Sequence, residues 1–348
     1  MPRSLRILQA MAGPNPGGAE AFFVRLVRAL RDAGVDQHVV VKHNAYVAQR
    51  LREADFEPEE LVFGGVFDLV TTSRLRKSIA RFQPQIVLTW MNRATRFCPH
   101  DAKQGSYVHV GRLGGYYNLK YYRGCDHLIA NTQDIVDYVT STGWPTGRVG
   151  YLPNFVDASP AQPVARAALD TPADVPLLLA LGRLHENKGF DVLLDALVDL
   201  PTAFLWLAGS GKLDDDLKTR ANSLGINDRV RFLGWREDTA ALYAAADLYV
   251  CPSRNEPLGN VVIEAWANGK PVVAAAAAGP ASLIEDGRNG LLVPIDDASA
   301  LATAIGRVLG SPDMATSLAQ GGRVAYERDF TEASVVDRYM KYFEAIVT

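Results

Sequence analysis

Residues 177–196 read LLLALGRLHENKGFDVLLDA: an apolar run ending in a glycine, a polar and basic turn, then apolar positions spaced for one face of a helix. A strand buried on both faces of a parallel sheet shows just such an unbroken apolar run, and the helix after it is the crossover that a parallel sheet needs. The rhythm continues toward the C-terminus with AFLWLA at 203–208, a helical pattern at 214–224, VRFLG at 230–234, LYVCP at 248–252, a helical pattern at 260–268, PVVAA at 271–275 and LLVP at 291–294. Helical patterns at 299–309, 312–320 and 331–347 follow. It is present upstream as well, in LRILQAM at 5–11, a helical pattern at 18–33, HVVVK at 38–42, a helical pattern at 71–82, QIVLTW at 85–90, HLIAN at 127–131 and a helical pattern at 133–141.

Between the two series, PNFVDASPAQPVARAALDTPADVP (153–176) holds five prolines in a weakly patterned stretch and reads as a connector. A chain of 348 residues is long for one core. Two α/β domains in series, each Rossmann-like and doubly wound, are therefore expected at 1–160 and 161–328, with 329–348 as a closing helix. Ligands of such sheets bind beyond the carboxyl ends of the strands, so two facing domains are expected to offer their sites to one cleft.

Composition narrows the class. With 48% hydrophobic and 22% charged residues the chain reads as a globular protein. The N-terminal MPRSLRILQAMAG has too short an apolar stretch for a secretory signal and suits a strand, and no run of about 18 apolar residues occurs, so a cytoplasmic location is expected. Cys98, Cys125 and Cys251 have no CxxC spacing; neither a disulfide framework nor a cysteine zinc site is supported, and they read as buried packing residues. The net charge of −3 conceals an asymmetry: residues 1–160 carry 19 Lys and Arg against 14 Asp and Glu, the remainder 17 against 25. Different partners for the two halves follow, and nothing in the sequence calls for a nucleic acid.

Arg183 and Lys188 share the loop after the 177–182 strand. A forked guanidinium beside a mobile ammonium suits a diphosphate, whereas in isolation the loop could equally be a solvated basic turn. In PSRNEPLGNVVIEAWANGKPVV (252–273), Glu256 and Glu264 stand eight residues apart, with Gly259 and Asn260 before a helical pattern that starts at Val261. Asn260 is the expected N-cap. Two carboxylates so separated can each accept a pair of hydroxyls, one pair on a sugar ring and one on a ribose, with a diphosphate between; a capped surface helix with incidental glutamates is the alternative.

GRLHENKGFDVLLDA together with SRNEPLGNVVIEAWANGKPVV resembles the donor-binding half of the retaining family-four glycosyltransferases of the GT-B fold. The resemblance implies two Rossmann-like domains facing across a cleft, with the C-terminal helix returning to the first domain. It implies that Arg183 and Lys188 bind the donor diphosphate, Glu256 the transferred sugar and Glu264 the ribose, with the backbone of Leu258, Gly259 and Asn260 facing sugar or phosphate oxygens. The base is expected beside Gly209-Ser210-Gly211 and Gly234-Trp235-Arg236, where Trp235 either stacks or packs. The donor would be a UDP- or GDP-linked sugar, and the acceptor a glycan or lipid-linked glycan of bacterial envelope polysaccharide or lipopolysaccharide.

In the first half, AGPNPGGAEAFF places Gly17 and Gly18 at a helix start, where backbone N–H groups can approach a phosphate, although paired glycines also simply make turns. The resemblance makes both donor-binding candidates across the cleft. Glu20, in the first helical turn, complements the helix dipole. His109, in SYVHVGRLGG after a strand-like run, matches the family's cleft histidine, but Val110 and Gly111 replace the usual His-Asp or His-Gly context, and a lone histidine is commonly structural. Asn154 and Asp157 in LPNFVD match the segment closing the first domain, with Phe155 in place of the customary glycine; they read as architectural.

Arg25, Arg28 and Arg31 on one arc, and Arg74, Arg76, Lys77 and Arg81 on another, form either solvated faces or a surface for anionic lipid or an anionic acceptor. The inner face of the cytoplasmic membrane is the expected place for such contact. No metal is expected: Asp214-Asp215-Asp216 sits at a helix start, where acidic residues are favoured anyway, and the diphosphate charge is met by Arg183, Lys188 and helix N-termini. No cofactor beyond the sugar-nucleotide donor is implied. A sugar-nucleotide epimerase and a non-catalytic sugar-nucleotide-binding partner are the rival readings. A glycosidase leaves Arg183 and Lys188 without a role, and a dehydrogenase fails for want of a dinucleotide fingerprint.

Overall fold

The unbroken apolar runs become strands covered on both faces. The computed structural model describes residues 5–13, 17–43, 45–65, 68–99, 106–156 and 160–347. In chain order the first elements are β1 (Arg6–Met11), α1 (Gly18–Asp32), β2 (Asp36–Lys42), α2 (Tyr46–Arg52), β3 (Glu59–Leu61), α3 (Leu69–Phe82), β4 (Ile86–Trp90), α4 (Met91–Phe97), β5 (Val108–Leu113), β6 (His127–Ala130), α5 (Gln133–Ser141) and β7 (Val149–Tyr151). Among the described residues these strands form a seven-stranded sheet in the order β3-β2-β1-β4-β5-β6-β7. Every pairing is parallel.

The second series is β8 (Leu177–Leu181), α6 (Phe190–Val198), β9 (Phe204–Ala208), α7 (Asp214–Ser223), β10 (Val230–Gly234), α8 (Thr239–Ala245), β11 (Leu248–Cys251), α9 (Asn260–Ala267), β12 (Val272–Ala275), α10 (Ala278–Leu283), β13 (Leu291–Val293), α11 (Ala298–Leu309) and α12 (Pro312–Asp329). Among the described residues its sheet has six strands in the order β10-β9-β8-β11-β12-β13, again parallel. Alternate residues of β8 feed two core layers: Leu178 and Ala180 pack with Leu193 and Leu205, while Leu177 and Leu179 pack with Trp206 and Trp266. That is the period of two written through an all-apolar run. Both buried indoles find acceptors, Trp206 in the Thr171 hydroxyl at 2.9 Å and Trp266 in the Asn289 carbonyl at 2.8 Å.

The expected boundaries shift for reasons visible in the packing. The chain divides into one unit of Met1–Asn154 with Glu332–Thr348 and another of Phe155–Thr331. Phe155 and Val156 are buried, and Val156 lies in the second unit's core. Phe330 packs against Trp266 with ring centroids 6.3 Å apart, which holds it with the second unit. Asp157 lies outside the described residues. The last helix, α13 (Glu332–Val347), buries Val335, Tyr339 and Phe343 in the first unit. The elements without a sequence expectation are the short ones, α2, α4, α8, α10, β3 and β7, together with β5, whose run is interrupted by His109 and Arg112.

Arg112, 2% exposed at the carboxyl end of β5, organises the first unit. Its guanidinium lies over Trp90 at 4.3 Å and Phe22 at 4.8 Å, and donates to the Tyr339 hydroxyl at 3.0 Å and the Asn154 amide oxygen at 2.5 Å. Arg112→Ala removes the stacked cation and leaves both acceptors buried without their donor. We expect it to lower stability by about 3 kcal/mol, read as an earlier urea transition of the first unit.

Candidate functional site

In each sheet one adjacent pair of strands sends its connections in opposite directions, and a crevice opens between the loops that leave them. In the second unit that pair is β8 and β11, bonded through Leu248 to Leu178 and Tyr249 to Leu179. The loop after β8 carries Arg183 and Lys188; the loop after β11 carries Glu256. The topology therefore brings together residues 68 positions apart: the Lys188 ammonium donates to the Glu256 carboxylate in a short ion pair. Glu256 is 9% exposed, and its other oxygen faces the Gly259 N–H at 3.4 Å. Arg183 is exposed and makes no ion pair among the described residues.

The two loops are in direct backbone contact. Asn187 accepts from the N–H groups of Arg254 at 2.9 Å and Asn255 at 3.0 Å. Gly189 adopts φ 62°, and a Cβ there would come within 2.1 Å of the Pro252 carbonyl oxygen. Only glycine meets both demands. Gly189 and Gly259 precede α6 and α9 respectively, and neither offers a side-chain cap. This corrects one expectation: Gly259 (φ 70°), not Asn260, is the N-cap, because the chain turns into the helix through the left-handed region, and Asn260 is the first helical residue. Glu264 lies one turn into α9, half-buried, and its charge adds to the burial that holds the Tyr243 and Tyr249 hydroxyls well above their ordinary range. Burial pushes the nearby Cys251 thiol up to about 11, so it stays un-ionised.

The loops after β8, β9 and β10 are laced together. Gly182 N–H donates to the Ala208 carbonyl at 3.0 Å, Leu184 N–H to Ser210 at 3.0 Å, and Gly209 N–H to Gly234 at 2.7 Å. Gly209, Trp235 and Arg236 thus stand on the same sheet edge as Arg183. Trp235 is 69% exposed, which excludes a packing role. The Arg236 guanidinium is forked onto Asp238 at 2.7 and 2.5 Å. Leu258 is half-buried in the loop before α9.

In the first unit the diverging pair is β1 and β4. Gly17 is the N-cap of α1 and Gly18 its first residue. Glu20 is 8% exposed, its carboxyl lying so close to Gly13 and Gly17 that a Cβ would come within 2.0 Å and 2.6 Å of its oxygens. Burial pushes this carboxyl above its ordinary value. His109 requires a correction. It does not follow a strand but begins one, pairing with Val87 near the amino end of β4 and so standing at the edge opposite the one that binds ligands. It is 5% exposed, with Nδ1 3.0 Å from the Gly124 carbonyl and Nε2 3.0 Å from the Thr89 hydroxyl. His109 therefore belongs to the architecture of the amino edge. The carboxyl end of β5 carries Arg112 instead, a residue whose only sequence signal is a cation inside an otherwise buried strand.

Two family models match the chain, one described as glycosyl transferases group 1 over residues 175–311 and one as glycosyltransferase family 4 over residues 16–160. Among curated relatives, the lipopolysaccharide core biosynthesis glycosyltransferase LpsE of Rhizobium meliloti is 36% identical over 332 residues, covering 93% of this chain and 95% of its own. LpsD of the same organism is 35% identical over 335 residues, covering 94% and 95%. Among solved structures, Anabaena HepE in complex with UDP has a TM-score of 0.87 at 21% identity, over 98% of this chain and all of its own. A glycosyltransferase from Rickettsia africae reaches 0.87 at 19%, over 99% of each chain. At these identities the structures bear on the fold alone, which they share.

Because Glu20 has a raised pKa in the folded state, the folded protein binds its proton more tightly than the unfolded chain does. The penalty is present above the folded pKa and is relieved as pH falls through it. Glu20→Gln is expected to raise the urea midpoint at about pH 8, with the advantage shrinking as the pH is lowered through the carboxylate range.

Proposed function

The chain belongs to the group 1 and family 4 glycosyltransferases, and from that premise we propose that it moves a sugar, with retention, from a UDP- or GDP-linked donor to a lipid-linked core oligosaccharide of lipopolysaccharide. The observation that carries the reading is the Lys188–Glu256 pair at the β8–β11 crevice. Glu256, held buried beside a cation, accepts hydroxyls of the transferred sugar. Lys188 and the exposed Arg183 meet the charge that builds on the leaving diphosphate, Lys188 as a mobile point charge and Arg183 as a fork. The backbone of Leu258, Gly259 and Asn260 lines the same crevice, Glu264 takes the ribose hydroxyls, and the exposed Trp235 stacks on the base. The lipopolysaccharide core is proposed because LpsE and LpsD match nearly end to end. HepE, solved with UDP and with UDP-glucose, favours a uridine donor.

Thermal-shift measurements with UDP-, GDP- and ADP-sugars test the donor, since a specific ligand stabilises the fold by mass action. Lys188→Ala and Glu256→Ala are each expected to lower turnover about a hundredfold or more while changing the melting temperature by only a few degrees. Near-parental turnover in both would remove the site. We propose no metal requirement, so EDTA is expected to leave activity within about twofold; loss on chelation with recovery on manganese contradicts this.

No helix among the described residues is long and apolar enough to cross a membrane. Val62, just after β3, is nevertheless 59% exposed, and the first turn of α3 exposes Leu69 by 80% and Val70 by 58%, ahead of the exposed cations Arg74, Arg76 and Lys77 on the same helix. We propose that this face rests on the anionic inner surface of the cytoplasmic membrane, apolar residues inserted and cations over headgroups. Flotation with vesicles containing phosphatidylglycerol, but not with pure phosphatidylcholine, is expected. Binding to both equally, or to neither, counts against it.

A further inference from the structure

Arg254 stands two residues before Glu256, and the reaction as proposed gives it no task. Its guanidinium is forked onto the Asp191 carboxylate at 2.8 and 2.6 Å. Nη1 also donates to the Glu186 carbonyl at 2.8 Å, and Nε donates to Asp296 at 2.5 Å. Four of the five guanidinium N–H groups thus have acceptors within the second unit, so the side chain is not a phosphate ligand as Arg183 can be. Burial pushes the Asp191 carboxyl up, but the fork from Arg254, helped by backbone N–H groups, outweighs that and holds it below the ordinary range.

The three acceptors belong to separate pieces of the site. Glu186 opens the single turn that ends at Lys188, Asp191 lies in the first turn of α6, and Asp296 follows β13. Asp296 sits at φ 61°, a conformation that non-glycine residues avoid. Through its own backbone N–H, Arg254 also holds Asn187, the neighbour of Lys188. One side chain therefore spans from the loop carrying Glu256 to the turn carrying Lys188, and a third loop props it from outside.

We propose that Arg254 is a positioning residue for the transfer step: it sets where Lys188 stands relative to Glu256, and so where the leaving diphosphate stands relative to the sugar. This rests on the reading of Lys188 and Glu256 given above. A forked, partly exposed network of this kind adds to folding as well, so the urea midpoint is read beside kcat to separate the two roles. A displacement of about 1 Å between reacting groups, by contrast, can cost about a hundredfold in rate.

The test compares Arg254→Gln, Arg254→Lys and Asp296→Asn with the parental enzyme and Lys188→Ala. It uses whichever of UDP-glucose, UDP-galactose and GDP-mannose stabilises the parental protein most, with lipopolysaccharide core oligosaccharide as acceptor. Arg254→Gln is expected to lower kcat about tenfold to a hundredfold while donor KM moves less than about threefold and the urea midpoint stays near parental. Arg254→Lys, which keeps the charge but not the fork, is expected to recover only part of kcat, and Asp296→Asn to lose less than Arg254→Gln. Parental kcat in Arg254→Gln overturns the proposal, as does full recovery by lysine or a loss accounted for by the unfolded fraction. If Arg254→Gln does not fold, Asp296→Asn decides: a lowered kcat in a folded protein supports positioning, and an unchanged one overturns it. If Lys188→Ala loses turnover and Arg254→Gln does not, positioning alone fails; if the parental protein transfers nothing, the function reading fails with it.

Discussion

The arrangement of the candidate site in the second unit rests on the pairing of β8 with β11. In a parallel sheet all loops that leave the strands emerge at one edge, and where neighbouring strands hand the chain on in opposite directions those loops part and leave a gap. β8 and β11 are such neighbours although two β-α units separate them in sequence. Lys188 and Glu256 meet because their strands do. The backbone contacts from Asn187 to residues 254 and 255, and the close approach of Gly189 to Pro252, then turn adjacency into a set distance. A slip in the strand pairing would move every group of the site at once.

Within this edge, residue type alone does not assign a role. Arg183, Arg236 and Arg254 all lie in loops beyond strand ends, yet only Arg183 is exposed with no ion pair among the described residues. Arg236 is committed to Asp238, and Arg254 to Asp191 and Asp296. Among these three arginines, the pairing state separates one open to an incoming anion from two committed to neighbouring carboxylates. The same contrast separates two buried charges of the first unit: Arg112 is satisfied by a hydroxyl, an amide and two aromatic faces, whereas the Glu20 carboxyl is buried with no cation paired to it among the described residues. A carboxyl kept so at a helix start beside a sheet's ligand edge marks a place where the fold gives up stability.

What could be read from the chain beforehand follows the range of the interactions involved. The fold was legible because strands buried on both faces announce themselves in five or six consecutive residues, as in LLLAL and IVLTW. The placement of the candidate-site loops was legible because Arg183 and Lys188, or Glu256 and Glu264, lie on one loop or one loop and helix. His109 was misplaced for a local reason: β5 carries a histidine and an arginine inside it, so its apolar pattern is broken and its ends are blurred. The cap at α9 was misassigned because asparagine is the better cap by composition, and only the backbone angle at Gly259 shows otherwise. Arg112 and Arg254 were out of reach altogether. Their partners lie as much as 227 and 68 residues away, and no short pattern records them.

The first unit is interrupted by the whole of the second and is closed only by α13. Val335, Tyr339 and Phe343 of that helix are fully buried there, and Tyr339 holds the Arg112 guanidinium that also holds Asn154, the last residue before the interruption. On the ribosome this reverses the usual order of maturation. The inserted unit, contiguous in sequence, can complete its core while the chain is still being made. The N-terminal unit, begun first, must wait with an open flank until α13 leaves the exit tunnel, so a chain truncated before Glu332 would carry a finished second unit attached to an unfinished first one.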